Sequence, residues 1–265
     1  MTKEEAWALV DPERWAAIRE MVEAEARALA PDARLGELSG LVDSGTLFAH
    51  FHIQHGQGTY SAAEWADLHR VAESPPHLLL PALQAVTAWL AASAIDAVIV
   101  GGVAVTILGR ARYTKDIDVL AALEDAQLSE ALACAAEFGL RPRVADAVRV
   151  ARERRVLLLM HGAACFPVDL ILARVPLERE TVSRGQVREV AGIRMKLPQL
   201  EDLILMKALA HRLSDLGDID TLLAMNPDVD LTRVLAIVRE AAQAMGVSDV
   251  IEDLERLVRR RRTGR

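Results

Sequence analysis

Residues 101–120 read GGVAVTILGRARYTKDIDVL: a glycine pair at the end of an apolar run, a basic segment, and two aspartates one residue apart in an apolar stretch. The run before it, Ala97 to Val100, and the run Asp116 to Ala121 have the length and composition of strands. Side chains alternate along a strand, so Asp116 and Asp118 share one face while Ile117 and Val119 take the other. Two carboxylates that close repel each other unless a cation lies between them. A hard divalent ion with oxygen ligands, Mg²⁺ before others, resolves that repulsion and leaves positions open for phosphates. The bland alternative is a strand end with two solvated acids. Against it stand the glycines: Gly101 and Gly102 precede the short helical segment VAVTIL, so backbone N–H groups at a helix start can face an anion with no side chain between. Arg110, Arg112 and Lys115 add positive charge between glycines and acids.

Outward from this stretch the chain divides by texture. Residues 1–90 read as a helical N-terminal region: Asp11-Pro12-Glu13 has the form of a helix start leading into RWAAIREMVEAEARAL, a second helix begins near Ala62, Ser74-Pro75-Pro76 breaks it, and a third runs from about Pro81 to Ala94. Residues 91–195 alternate short apolar runs with helix, the pattern of a mixed α/β (α+β) core, with further strands expected at Val156 to Met160 and Val168 to Leu172. EDAQLSEALACAAEFG reads as a helix stopped by Gly139. Residues 196–265 return to helix: QLEDLILMKALAHRL, a break at Leu216-Gly217, DIDTLLAM, and two more helices ending in four arginines.

An apolar strand, Gly-Gly, then Asp-x-Asp in a second strand, with 13 residues between Gly102 and Asp116, resembles the signature of the polymerase-β-like nucleotidyltransferase superfamily. Within it the stretch looks most like the minimal bacterial group of AbiEii-type and MenT-type toxins, whose GG-x-A … R-x-T-x-D-I-D pattern is matched at Gly101, Gly102, Ala104, Arg112, Thr114, Asp116, Ile117 and Asp118. The resemblance covers about residues 95–225. It implies a nucleotidyltransferase fold, a small mixed sheet flanked by helices, between helical N-terminal and C-terminal regions. It also implies a third carboxylate on a neighbouring strand, which PVDLIL supplies at Asp169, the one acid in that apolar run. The downstream segment PQLEDLILMKALAHRLSDLGDIDTLL maps Glu201, Asp202, Lys207, Arg212, Asp215 and Asp218 onto the family pattern.

By that resemblance Asp116, Asp118 and Asp169 are the metal ligands, for two Mg²⁺ ions. Gly101, Gly102, Arg112, Thr114, Lys207, Arg212, Asp215 and Asp218 form the nucleotide-binding set for an NTP substrate. Catalysis falls to the three acids and Lys207, with Asp169 beside the incoming hydroxyl and either Asp215 or Asp218 holding Lys207 or Arg212. The implied acceptor is an RNA end, a tRNA foremost, in a toxin-like role with an antitoxin protein as partner. A small hydroxylated antibiotic is a second acceptor, and an inactive nucleotide-binding module a third reading.

Composition bounds the rest. A net charge of −7 over 265 residues excludes a surface that grips nucleic acid everywhere, and leaves a local basic cleft open. Two cysteines, Cys134 and Cys165, are too few for a disulfide framework, which fits a reducing cytoplasm. Neither a signal peptide nor a membrane span is expected, because the first residues are acidic and the apolar region Leu78 to Leu108 is interrupted by Pro81, Gln84, Asp96 and the glycine pair. His50, His52 and His55 lack a carboxylate or cysteine nearby to complete a metal site. The terminal RRRRTGR reads as a solvated helix end or as a contact for RNA or an acidic partner.

Overall fold

The computed structural model describes residues 27–36, 79–112, 114–162 and 166–263. The expectations on the histidines at 50, 52 and 55, on Cys165, on the break at Ser74-Pro75-Pro76 and on most of the first two helices lie outside these residues.

Strands β1 (Asp96–Ile99), β2 (Ile117–Ala122), β3 (Leu140–Pro142), β4 (Val156–His161) and β5 (Phe166–Leu172) build one mixed sheet in the order β1-β2-β5-β4-β3. β2 and β5 run parallel; the other pairs are antiparallel. Alternation divides each strand between two faces. Ile99, Ile117, Val119, Leu157, Leu159, Val168 and Leu170 point to one face and join a buried cluster with Leu83, Val86 and Trp89 of α1 (Leu79–Ala92) and with Leu128 and Ala131 of α3 (Leu128–Glu137). The Trp89 indole N–H donates to the Ala131 carbonyl at 2.9 Å, so the polar edge of this large core residue is satisfied. The opposite face carries Val98, Leu120 and Ile171, and with them Asp118 and Asp169.

α2 (Gly101–Leu108) follows β1 with one residue between them, and α4 (Ala147–Arg154) leads into β4. After β5 come α5 (Pro176–Arg184), a hairpin of β6 (Gln186–Val190) and β7 (Ile193–Leu197), and four helices: α6 (Leu200–Ala210), α7 (Leu213–Met225), α8 (Thr232–Met245) and α9 (Asp249–Thr263). The hairpin turn is Ala191-Gly192, both at positive φ, the conformation that tight two-residue turns require.

The expected break at Leu216-Gly217 is not there. α7 runs through both residues, and the chain turns instead at His211, in the left-handed conformation, and Arg212. One glycine costs a helix about 1 kcal/mol, and the burial of Ile219, Leu222 and Leu223 along the same helix outweighs it. Asp202, fully buried on α6, receives Arg233 of α8 at 2.8 Å and Arg184 of α5 at 3.3 Å, tying three helices together. In the terminal basic run, Arg260 and Arg261 both pair with Asp220 of α7, at 2.5 and 2.8 Å, so these two charges dock α9 on α7. No helix among the described residues is long and apolar enough to cross a membrane.

Candidate active site

The parallel register of β2 on β5 sets Asp118 directly across from Asp169, and Asp116 lies one residue before β2 on the same side. Carboxylate oxygens of the three acids come within 4.8 Å of one another, in a group suited to holding a metal ion. Each of these charges works against the others. Burial, then the Asp116 and Asp169 charges, push the Asp118 pKa up to about 6, while Lys207 and Arg112 pull it back. The Asp169 pKa is raised too, first by burial; Arg143 and Lys115 oppose that rise and Asp116 adds to it.

Both glycines of the pair are required by what packs on them. Gly101 has φ +60°, and a Cβ there would stand 1.9 Å from an Asp118 carboxylate oxygen; a Cβ on Gly102 would stand 2.6 Å from the Thr114 side chain. The backbone at the start of α2 is therefore pressed against Asp118 and Thr114. Thr114 is buried and donates its hydroxyl to Asp116, to Oδ1 at 3.1 Å and to the carbonyl at 3.2 Å, which places it as a holder of the first carboxylate. Gly101→Ala is expected to destabilise the fold by about 1–2 kcal/mol through its left-handed backbone alone. The larger effect is displacement of Asp118, read as loss of the Mg²⁺-induced rise in unfolding temperature.

A layer of cations lies behind Asp118. Lys207 on α6 places its Nζ 2.8 Å from Asp215 Oδ1 and 2.7 Å from Asp218 Oδ2, both acids being buried near the start of α7. Arg112 reaches the same Asp218, Nη2 to Oδ2 at 2.9 Å and Nε to Oδ1 at 2.6 Å. Both acids thus hold Lys207, and Asp218 holds Arg112 as well. Asp215 also accepts the Arg212 backbone N–H at 3.3 Å, which begins α7. The Arg212 side chain is 78% exposed and only approaches Asp215, at 3.7 Å, so it stands outside the tight cluster. Glu201, in the first turn of α6, is half-buried and joins none of these pairs.

Sequence reasoning missed Arg143. It follows β3, its backbone N–H donates to the Leu158 carbonyl at 3.0 Å, and its guanidinium pairs with Asp169. No local pattern marks it, because the pairing depends on β3 lying beside β4.

No family model matches the chain, and no curated protein matches it. Solved structures do. An antigenic nucleotidyltransferase-like protein from Paracoccidioides brasiliensis is similar over 66% of this chain and 92% of its own, at 15% identity and a TM-score of 0.42. The antibiotic-resistance factor ANT(2″)-Ia in solution is similar over 63% and 94%, at 16% identity and 0.43. A crystal structure of ANT(2″)-Ia in complex with adenylyl-2″-tobramycin is similar over 62% and 95%, at 17% identity and 0.40. At this level of likeness the site stands on its own residues.

Proposed function

We propose that this chain is a divalent-metal-dependent nucleotidyltransferase that moves an NMP from an NTP to an acceptor hydroxyl. The acceptor in this reading is an RNA end, a tRNA foremost, in a toxin-like role held in check by an antitoxin protein. The observation that carries the transferase reading is the convergence of Asp116, Asp118 and Asp169 beside a glycine-lined helix start and a lysine fixed by two buried acids. The RNA acceptor and the antitoxin rest on the resemblance of GGVAVTILGRARYTKDIDVL to the toxin group.

The three acids fit a hard divalent cation: the donor set is all oxygen and its oxygens lie within 4.8 Å of one another. Mg²⁺ bound by these carboxylates would supply charge stabilisation for the α-phosphate and the departing pyrophosphate. Lys207 and Arg112 neutralise the β- and γ-phosphates, and the Asp215 and Asp218 contacts fix them before substrate arrives, so little reorganisation is needed during transfer. The backbone N–H groups at Gly101 and Gly102 face the same phosphates. Asp169, beside the incoming hydroxyl in this reading, takes its proton. The acceptor oxygen forms a bond to the α-phosphorus, the bond to the α–β bridging oxygen breaks, and pyrophosphate leaves.

Incubation with α-labelled NTPs, Mg²⁺ and total RNA is expected to label RNA, and the label should vanish with EDTA or with Asp118→Asn. Label appearing on an aminoglycoside and not on RNA would move the reading to small-molecule transfer. NTP binding with no transfer to any acceptor would overturn the enzyme.

A further inference from the structure

Side chains on paired strands that face the same way form rungs across a sheet. One rung here runs from β2 to the end of β3: Asp118 is paired with Asp169, Asp169 with Leu158, and the Arg143 backbone with Leu158. The next rung carries Pro167, Met160 and Arg141. Toward β1 this face is sealed, because Val182 of α5 and Met206 of α6 pack with Val98, Leu120 and Ile171. Toward β3 it is open. Leu158, Met160 and Pro167 are only half-buried and Arg141 is exposed.

The triad therefore separates two sets of cations. Lys207 and Arg112 act on Asp118 and are the NTP's in the reading above, on which this inference rests. Arg143, beside the open half of the sheet, pairs with Asp169, where the NTP gives it no task, and the Lys115 charge also acts on Asp169. Beyond the triad neither rung holds an acid, and Arg141 pairs with no carboxylate among the described residues. A polycationic acceptor would meet arginines with nothing to bind its charges; an acceptor carrying phosphates and a flat apolar face would meet partners for both.

We propose that this open half-face seats the terminal nucleotides of a single-stranded RNA. The base rests on Leu158, Met160 and Pro167, and the adjoining phosphates are held by Arg141 and Arg143. Positive side chains tracking a backbone hold a single strand without regard to its sequence, and an apolar surface beside them covers the face of an unstacked base. Arg143 has a second part in this arrangement. In the free protein its guanidinium is engaged by Asp169; an arriving phosphate takes over the guanidinium and releases Asp169 toward the terminal hydroxyl.

The test is fluorescence anisotropy of a short mixed-sequence RNA with a free 3′-hydroxyl, at low salt and without nucleotide, alongside calorimetric binding of ATP with Mg²⁺. Arg141→Glu should weaken RNA binding roughly tenfold and lower its salt dependence by about one phosphate contact, leaving ATP binding and the unfolding temperature as in the parent. Arg143→Gln should weaken RNA binding similarly, and Arg143→Lys should restore part of it. RNA affinity unchanged in a folded Arg141→Glu and a folded Arg143→Gln overturns the half-face as the acceptor site, and so does failure of the parent protein to bind RNA at low salt. Those results leave ATP binding and the transferase reading intact; loss of ATP binding in the parent protein strikes the transferase reading and takes this inference with it.

Discussion

Replacing Asp118 by asparagine is expected to have two opposite effects: to lower nucleotidyl transfer by about 10²–10³ and to raise the stability of the metal-free protein. The first follows from removing a ligand from a cluster whose oxygens lie within 4.8 Å of one another. The second follows from the burial of the Asp118 charge and, after that, from its repulsion by Asp116 and Asp169. Asp118 titrates near 6 in the fold and near 4 in the unfolded chain, so between those values the folded protein binds more protons. Stability from this group is then complete below about pH 4, falls as pH rises, and is gone above about pH 6. Because the cleft is partly solvated, the loss is about 1–2 kcal/mol. Asp169, shifted the same way, contributes in the same direction. In EDTA near neutral pH the asparagine variant should therefore unfold at a higher temperature than the parent, and its unfolding temperature should fall less as pH rises. Added Mg²⁺ reverses the order, since only the parent gains from it. A variant less stable than the parent in EDTA would mean that internal partners already satisfy Asp118, and the metal site would be lost as a reading.

The features legible in the sequence are those whose spacing is local. The Asp-x-Asp alternation puts two acids on one face whatever the rest of the chain does, and Asp169 stands out as an acid in PVDLIL because a strand with one buried face has little other use for it. Their meeting depends on β2 and β5 being neighbours, which the resemblance implies, and on their parallel register, which no sequence pattern carries. Arg143 was invisible for the same reason in stronger form: its partner is 26 residues away and reached only through β3 and β4. Thr114 belongs to the nucleotide-binding set by resemblance; that its hydroxyl donates to Asp116 is a detail of side-chain direction that no pattern carries. The glycine pair was read as room for a phosphate; the crowding of Asp118 and Thr114 against it is a second, tighter requirement. The misplaced break at Gly217 shows the limit of residue-type punctuation. A glycine weakens a helix by an amount that a few buried leucines exceed, whereas the turn is made at His211, which takes the left-handed conformation that histidine adopts more readily than most side chains.

Lys207→Met is expected to be the most destabilising change at the site, by about 3–5 kcal/mol, because it removes the cation from two carboxylates that cannot reach water. Asp215 and Asp218 are each 4% exposed, and the lysine Nζ sits 2.8 and 2.7 Å from them. Without it Asp218 keeps Arg112, but Asp215 keeps only the Arg212 backbone N–H and a guanidinium at 3.7 Å. Asp215 is then the residue left with an uncompensated buried charge. That makes the stability and nucleotide roles separable. Adding Asp215→Asn to Lys207→Met removes the stranded charge and should recover most of the lost stability in chemical unfolding, since the amide still offers an oxygen to the start of α7. It restores no cation toward the phosphates, so affinity for NTP should stay as low in the double variant as in the single one. Recovery of both together would make Lys207 a structural residue whose effect on nucleotide comes only through folding. Recovery of stability alone would place its charge at the triphosphate, with the two acids of α7 serving to hold a lysine ready in a site that also needs it bound when empty.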